Sequence, residues 1–268
     1  MINTIPDGVI KDPRPLEKIA EDYQHISGVV SVNWKELDLS KLNLTSIRNQ
    51  NGSYSCVFQA GASALEALTG IIISATPYFW RKNYPEKGSW LQDMGDIFYN
   101  RYTTREDLSA SQNQSEPQMN QLKQLTTFLG ITGYRQPTTK NIDQIAEAIE
   151  SYKQCIVTYE SNNDEYFHNG VTPKYLASPI TFGHAICAQQ YGLINGVKTL
   201  VCRDSARNNI MVGVTLITEE FHLKRNTGAL YFLGSKDIQI QQDLYQKKIT
   251  LATQIVALLQ QAIKLFKK

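Results

Sequence analysis

Apolar positions recur along the chain with two different periods. Phe58, Gly61, Ala62, Leu65 and Leu68 fall on one helical face, with Ser55 as a natural N-cap and Gly70 as a C-terminal stop. Further helices are expected near Tyr78 to Lys82 and from Trp90 to Tyr102. Helical spacing returns at Leu122, Leu125 and Leu129, and again at Ile142, Ile145, Ala146 and Ile149. Val29 to Trp34 reads as a short strand, and Leu108 to Gln118, rich in Ser, Gln and Asn, reads as a surface loop. After Lys153 the pattern becomes that of strands. Cys155 to Tyr159 is an apolar run, and His184 to Leu193 and Val197 to Arg203 flank Asn195-Gly196, the dipeptide of a type I′ hairpin turn. Met211 to Ile217 and Ala229 to Leu233 are further strand candidates. Helices thus dominate the first half and strands the second. That predicts a segregated α+β fold whose two lobes leave a cleft between them.

The two ends differ from this middle. Residues 1–28 are polar and proline-containing and read as an extended arm, followed by one domain over residues 29–238. In the segment 239–268, Leu251, Ile255, Leu258, Ala262 and Leu265 alternate at spacings of four and three. That heptad-like seam predicts an amphipathic, coiled-coil-like helix. It would pack on its own domain, self-associate into a homo-oligomer or dock on a larger assembly. Lys247, Lys248, Lys264, Lys267 and Lys268 add a membrane surface as a minor alternative.

Composition narrows the class. Apolar residues make up 42% of the 268 residues and charged residues 19%, as in ordinary globular chains. A net charge of only +2 and the lack of any recognisable motif argue against a nucleic-acid partner. No apolar run is long enough to span a membrane. The first fifteen residues lack the apolar stretch of a signal peptide. A cytoplasmic location is therefore the default expectation, with a phage-particle or bacterial accessory setting as the alternative.

Cys56, Cys155, Cys187 and Cys202 are widely spread and include no CxxC pair, which argues against a zinc site; no metal or other cofactor is expected. Cysteines are usually buried small hydrophobes, and Cys155 and Cys202 sit in apolar strands as such. Cys56 is different because it opens a helix. There the backbone N–H groups and the positive end of the dipole favour a thiolate. Gln50, six positions earlier, offers a side-chain amide to a developing oxyanion. A cysteine nucleophile also needs a base, and the histidines are His25, His168, His184 and His222. His184 begins one arm of the predicted hairpin and Asp204 ends the other, so the hairpin sets an imidazole beside a carboxylate able to fix its tautomer.

The segment Gln50-Asn51-Gly52-Ser53-Tyr54-Ser55-Cys56-Val57-Phe58 resembles the active-site segment of papain-like cysteine peptidases. Gly183-His184-Ala185-Ile186, followed by Tyr191-Gly192, is similar to that family's histidine strand, and Asp204-Ser205 stands where the family has an Asn-Ser pair. His184 and Asp204 follow Cys56 by about 130 and about 150 residues, the spacing of papain-like enzymes. Val32-Asn33-Trp34 looks like the opening of the family's mature domain, so the resemblance runs from Val30 to Leu233.

The resemblance implies a two-lobed fold with a helical lobe and a barrel-like antiparallel lobe. It also implies peptide hydrolysis through Cys56 as nucleophile, His184 as base, Asp204 as its orienting partner and Gln50 in the oxyanion hole. Gly88, Ser89 and Gly183 would bind substrate backbone. An amidase, a cell-wall peptide hydrolase, or a catalytically weak binding domain are the alternatives on the same fold. The chain departs from the family pattern at Tyr54, which replaces a disulfide cysteine, at Val57, which replaces an aromatic residue, and at Asp204 itself. Ala206 stands where a tryptophan commonly shields the histidine's hydrogen bond.

Overall fold

The computed structural model describes residues 9, 31–50, 52–75, 88–100, 106, 129–138, 140–207, 212–235, 254, 255 and 260. The expected helix at 78–82, the loop at 108–118 and most of both terminal segments lie outside these residues.

The first helix, α1, runs Cys56–Thr69 and ends as expected at Gly70, whose φ of 69° and N–H bond to the Glu66 carbonyl stop the helix. Its residues from Cys56 to Glu66 are all buried, so it is the central rod of the helical lobe. The second helix, α2 (Leu91–Tyr99), lies against it at Gly61. A β-carbon there would come within 2.2 Å of Met94 Sδ and 2.9 Å of the Phe98 ring, so only glycine permits this closeness. The helix is shorter than the expected span from Trp90, which serves as N-cap.

Two-residue β1 (Tyr134–Arg135) precedes α3 (Ile142–Tyr152), whose N-cap Asn141 accepts from the N–H groups of Asp143 and Gln144. Strand β2 (Cys155–Ser161), the short helix α4 (Asn163–Tyr166), and the hairpin of β3 (Phe182–Ile194) and β4 (Val197–Arg203) follow. The hairpin turn has positive φ at both Asn195 and Gly196, as a type I′ turn demands. Strand β5 (Val214–Thr218), helix α5 (Glu219–Arg225) and strand β6 (Asn226–Phe232) complete the order.

The six strands form one antiparallel sheet in the order β1-β6-β2-β3-β4-β5. The barrel-like lobe expected from the resemblance is an open sheet: β1 and β5 stand at opposite edges and do not pair. Alternation along β2 and β3 sends Ile156, Ala185 and Cys187 to a core shared with α1 and α2. It sends Val157, Tyr159, Ile186 and Ala188 to a second core, shared with Ile145 of α3 and Phe221 of α5. The sheet is thus buried on both faces, and α1 lies against the face from which β3 presents Ala185.

Other expectations are corrected in detail. Residues 31–34 form no strand. Trp34 packs through its side chain instead, edge-on to Tyr191 with its indole N–H donating to Asp143 at 2.8 Å. The expected helix over Leu122 and Leu125 lies outside the described residues; Leu129 at its end is buried and not helical. Of the C-terminal seam, residues 254, 255 and 260 are helical, and Ile255 is half exposed. Nothing among the described residues shows a coiled coil, and no helix among them is long and apolar enough to cross a membrane.

Candidate active site

The approach to α1 is held from beneath by a buried ion pair. Arg48 donates to Glu66 at 2.9 Å and to the carbonyl of Ile73 at 2.7 Å, while Glu66 also accepts from the N–H and hydroxyl of Ser46. This ties the irregular segment before Gln50 to the side of α1. Ser55 occupies the N-cap position, yet its hydroxyl does not cap the helix; it pairs with Ser53 at 2.8 Å. No N-cap side chain therefore closes the first turn, at whose head Cys56 sits fully buried.

His184 and Asp204 meet as the hairpin predicts. Arg203 pairs with Cys187 after a bulge in the β3–β4 ladder, so Asp204 continues toward the His184 side of the strand. His184 Nε2 lies 2.8 Å from Asp204 Oδ1, and both side chains are fully buried. Burial acts to raise the Asp204 pKa, but His184, the Arg207 guanidinium and the Thr215 hydroxyl hold it well below the usual carboxylate range. The carboxylate therefore accepts, and Nε2 carries the proton. Burial acts to lower the His184 pKa, yet the charge and hydrogen bond of Asp204, reinforced by Cys56, raise it to about 9. The buried Nδ1 makes no hydrogen bond of normal geometry, leaving it for the neighbouring thiol.

Gln50 is buried and fixed from both sides. Its Oε1 accepts from the Ser205 hydroxyl at 2.8 Å and its Nε2 donates to the Ser53 carbonyl at 3.0 Å. That network settles which way the amide points. Gly183 precedes His184 in β3, opposite Glu160. Ser89 is buried ahead of α2, where its hydroxyl donates to Asp93 at 3.2 Å and its backbone forms a parallel bridge with Val9.

The structure therefore links Cys56, His184, Asp204 and Gln50, while Gly88 and Ser89 lie in the chain just before α2. Sequence reasoning missed Tyr166 and Thr215, which both donate to Asp204 Oδ2, at 2.7 Å and 2.5 Å. It missed Arg207 beside the same oxygen at 3.5 Å and the role of Ser205 in holding Gln50. No local spacing announces these contacts, because they cross between elements. The remaining thiols are inert by contrast: burial pushes Cys187 up to about 12 and Cys155 and Cys202 well above the ordinary range. Among the described residues, no cluster of His, Cys, Asp and Glu could hold a metal ion.

In shape the chain is similar to xylellain, a cysteine protease from Xylella fastidiosa, with a TM-score of 0.67 at 14% identity over 86% of this chain and 97% of that one. The fold is the papain-like peptidase fold. Digestive procathepsin L 3 of Tenebrio molitor larval midgut shares it, with a TM-score of 0.65 at 14% identity over 86% of this chain and 76% of that one. So does the bromelain protease from Ananas comosus, with a TM-score of 0.59 at 20% identity over 71% of this chain and 94% of that one. No protein-family model matches the chain, and no curated protein sequence matches it either. The papain-like likeness is thus one of backbone shape, with the side chains of the site read on their own geometry.

Proposed function

We propose that the chain is a cysteine peptidase that hydrolyses peptide bonds through a Cys56–His184–Asp204 triad. The observation that carries this reading is the fully buried His184–Asp204 pair at 2.8 Å, whose other ring nitrogen is left for a thiol at the head of a helix. With its proton on His184 Nδ1, Cys56 Sγ attacks the substrate carbonyl carbon. The oxyanion receives hydrogen bonds from Gln50 Nε2 and the Cys56 backbone N–H, a contribution on the order of 100-fold to 1,000-fold for one such donor. His184 then gives its proton to the leaving amine as the C–N bond breaks, leaving a thioester on Cys56. Water adds to the thioester with its proton passing to His184, and the thiolate leaves as the acid departs. Gly183, Gly88 and Ser89 would hold the substrate backbone, and the partner is polypeptide.

The test is alkylation of the full chain with iodoacetamide near neutral pH, followed by mass mapping, together with cleavage of a mixed peptide library. Cys56 should be labelled selectively in a manner lost in His184→Ala, and library cleavage should vanish in Cys56→Ala. A Cys56 thiol no more reactive than Cys155 would overturn the reading.

A further inference from the structure

Asp204 is held by more donors than the orientation of one imidazole requires. Its Oδ1 accepts from His184 Nε2 and from the Ala206 N–H at 2.9 Å, and its Oδ2 accepts from Tyr166 and Thr215 with Arg207 nearby. Tyr166 is the residue of this set that touches both members of the pair through its side chain. Its hydroxyl reaches Asp204, and its ring stands edge-on to His184, with centroids 5.6 Å apart at 87°. The ring is clamped in turn. Arg207 lies 4.6 Å above it and donates to the Tyr166 and Gly170 carbonyls, and Phe167, Phe182 and Phe221 pack around its edge. Its neighbour Glu165 anchors α4 through Arg225 at 2.6 Å. Position 206, where the resemblance leads one to expect an indole shield, holds only Ala206.

We propose that Tyr166 is the positioning residue of the His184–Asp204 pair, its hydroxyl fixing the carboxylate plane and its ring shielding the side left open at Ala206. This rests on His184 acting as the base of Cys56. A carboxylate pinned at Oδ2 cannot rotate, so Oδ1 stays on Nε2 and Nδ1 stays aimed at the thiol. The titratable and charged groups around the pair are Cys56 from α1, Tyr159 from β2, Tyr166 from α4, Cys202 at the end of β4, Arg207 in the following turn and His222 from α5 behind Tyr159. Removing the Tyr166 hydroxyl alters the support of Asp204 without adding or deleting a charge at neutral pH.

The experiment measures second-order alkylation of Cys56 by iodoacetamide against pH in the full chain. It compares the natural protein with Tyr166→Phe, Thr215→Val and His184→Ala. Tyr166→Phe should move the alkaline limb to higher pH, because a carboxylate that loses a hydrogen-bond donor is more basic and holds the imidazolium proton more firmly. The rate on the plateau should fall several-fold. Thr215→Val, which removes the other Oδ2 donor and leaves the ring in place, should shift the limb in the same direction. It carries the test if Tyr166→Phe does not fold. The His184 Nε2–H proton resonance should also exchange faster with water in Tyr166→Leu than in Tyr166→Phe, which keeps the ring. Natural-like limbs in both hydroxyl-deleting variants, with the limb lost in His184→Ala, would overturn the role of Tyr166 and leave the triad standing. A natural profile in His184→Ala would instead remove the triad reading, and this inference with it.

Discussion

Gln50 and Ser205 are joined twice: the Ser205 hydroxyl donates to Gln50 Oε1 at 2.8 Å, and the Gln50 backbone N–H donates to the Ser205 carbonyl at 3.1 Å. The side-chain bond fixes the direction in which the proposed oxyanion donor points. Ser205→Ala should leave the backbone bond and free the carboxamide, lowering kcat severalfold with little change in KM. Gln50→Ala should lower kcat by about 100-fold or more, since it removes the donor itself. Steady-state kinetics on a fluorogenic peptide from the library screen would check the order. A larger effect from Ser205→Ala than from Gln50→Ala would contradict it.

The raised pKa of His184 sets the pH at which the proposed thiolate–imidazolium pair loses its proton. An imidazolium that persists to about pH 9 predicts a Cys56 alkylation limb near that value. Asp204→Asn removes the charge that outweighs burial, so the limb should fall toward or below the ordinary histidine value of 6.5. A limb unmoved in this variant would mean that Asp204 does not support the ring.

Two buried histidines should give stability opposite slopes with pH. His184 has a folded pKa of about 9 against an ordinary 6.5, so its contribution is complete below pH 6.5 and is lost as pH rises through about 9. Burial lowers His222 to about 4, so its contribution is present above pH 6.5 and is lost as pH falls through about 4. Each shift corresponds to a pH-dependent change in stability on the order of 3 kcal/mol. Asp204 adds a further acid loss only below its ordinary 3.8. Urea unfolding against pH should show a maximum near pH 6.5, and His222→Gln should flatten the acid side between 6.5 and 4.

Gly61 should tolerate no side chain. The added methyl of Gly61→Ala meets Met94 and Phe98, and relieving that overlap should cost about 1–3 kcal/mol. Pairing it with Met94→Ala should recover part of the loss, a coupling that a double-mutant cycle would read directly. Strict additivity would mean that α1 and α2 separate without strain.

What the sequence could disclose was whatever is encoded locally. The span of α1, the Asn195-Gly196 turn and the pairing of His184 with Asp204 follow from short-range period, caps and turn chemistry. Tyr166 meets Asp204 across 38 positions and Gln50 meets Ser205 across 155, and no periodicity carries such contacts. Trp34 misled for a related reason: its run looks like a strand, but its indole is satisfied by Asp143, a side chain 109 positions away. The open sheet was equally hidden, because whether edge strands meet depends on the global twist and tilt and not on any one segment.

The placement of the two groups proposed to react has a kinetic consequence. Cys56 heads a helix buried through its first eleven residues, and His184 is paired with Tyr159 of β2 on a 13-residue strand whose farther part pairs with β4 from Cys187 onward. Such elements are the last to open in local unfolding, so their amides should be among the slowest to exchange with deuterium. A rigid pair of this kind cannot adapt itself to different peptides. Discrimination between substrates must then come from segments that breathe on faster timescales around a site that does not.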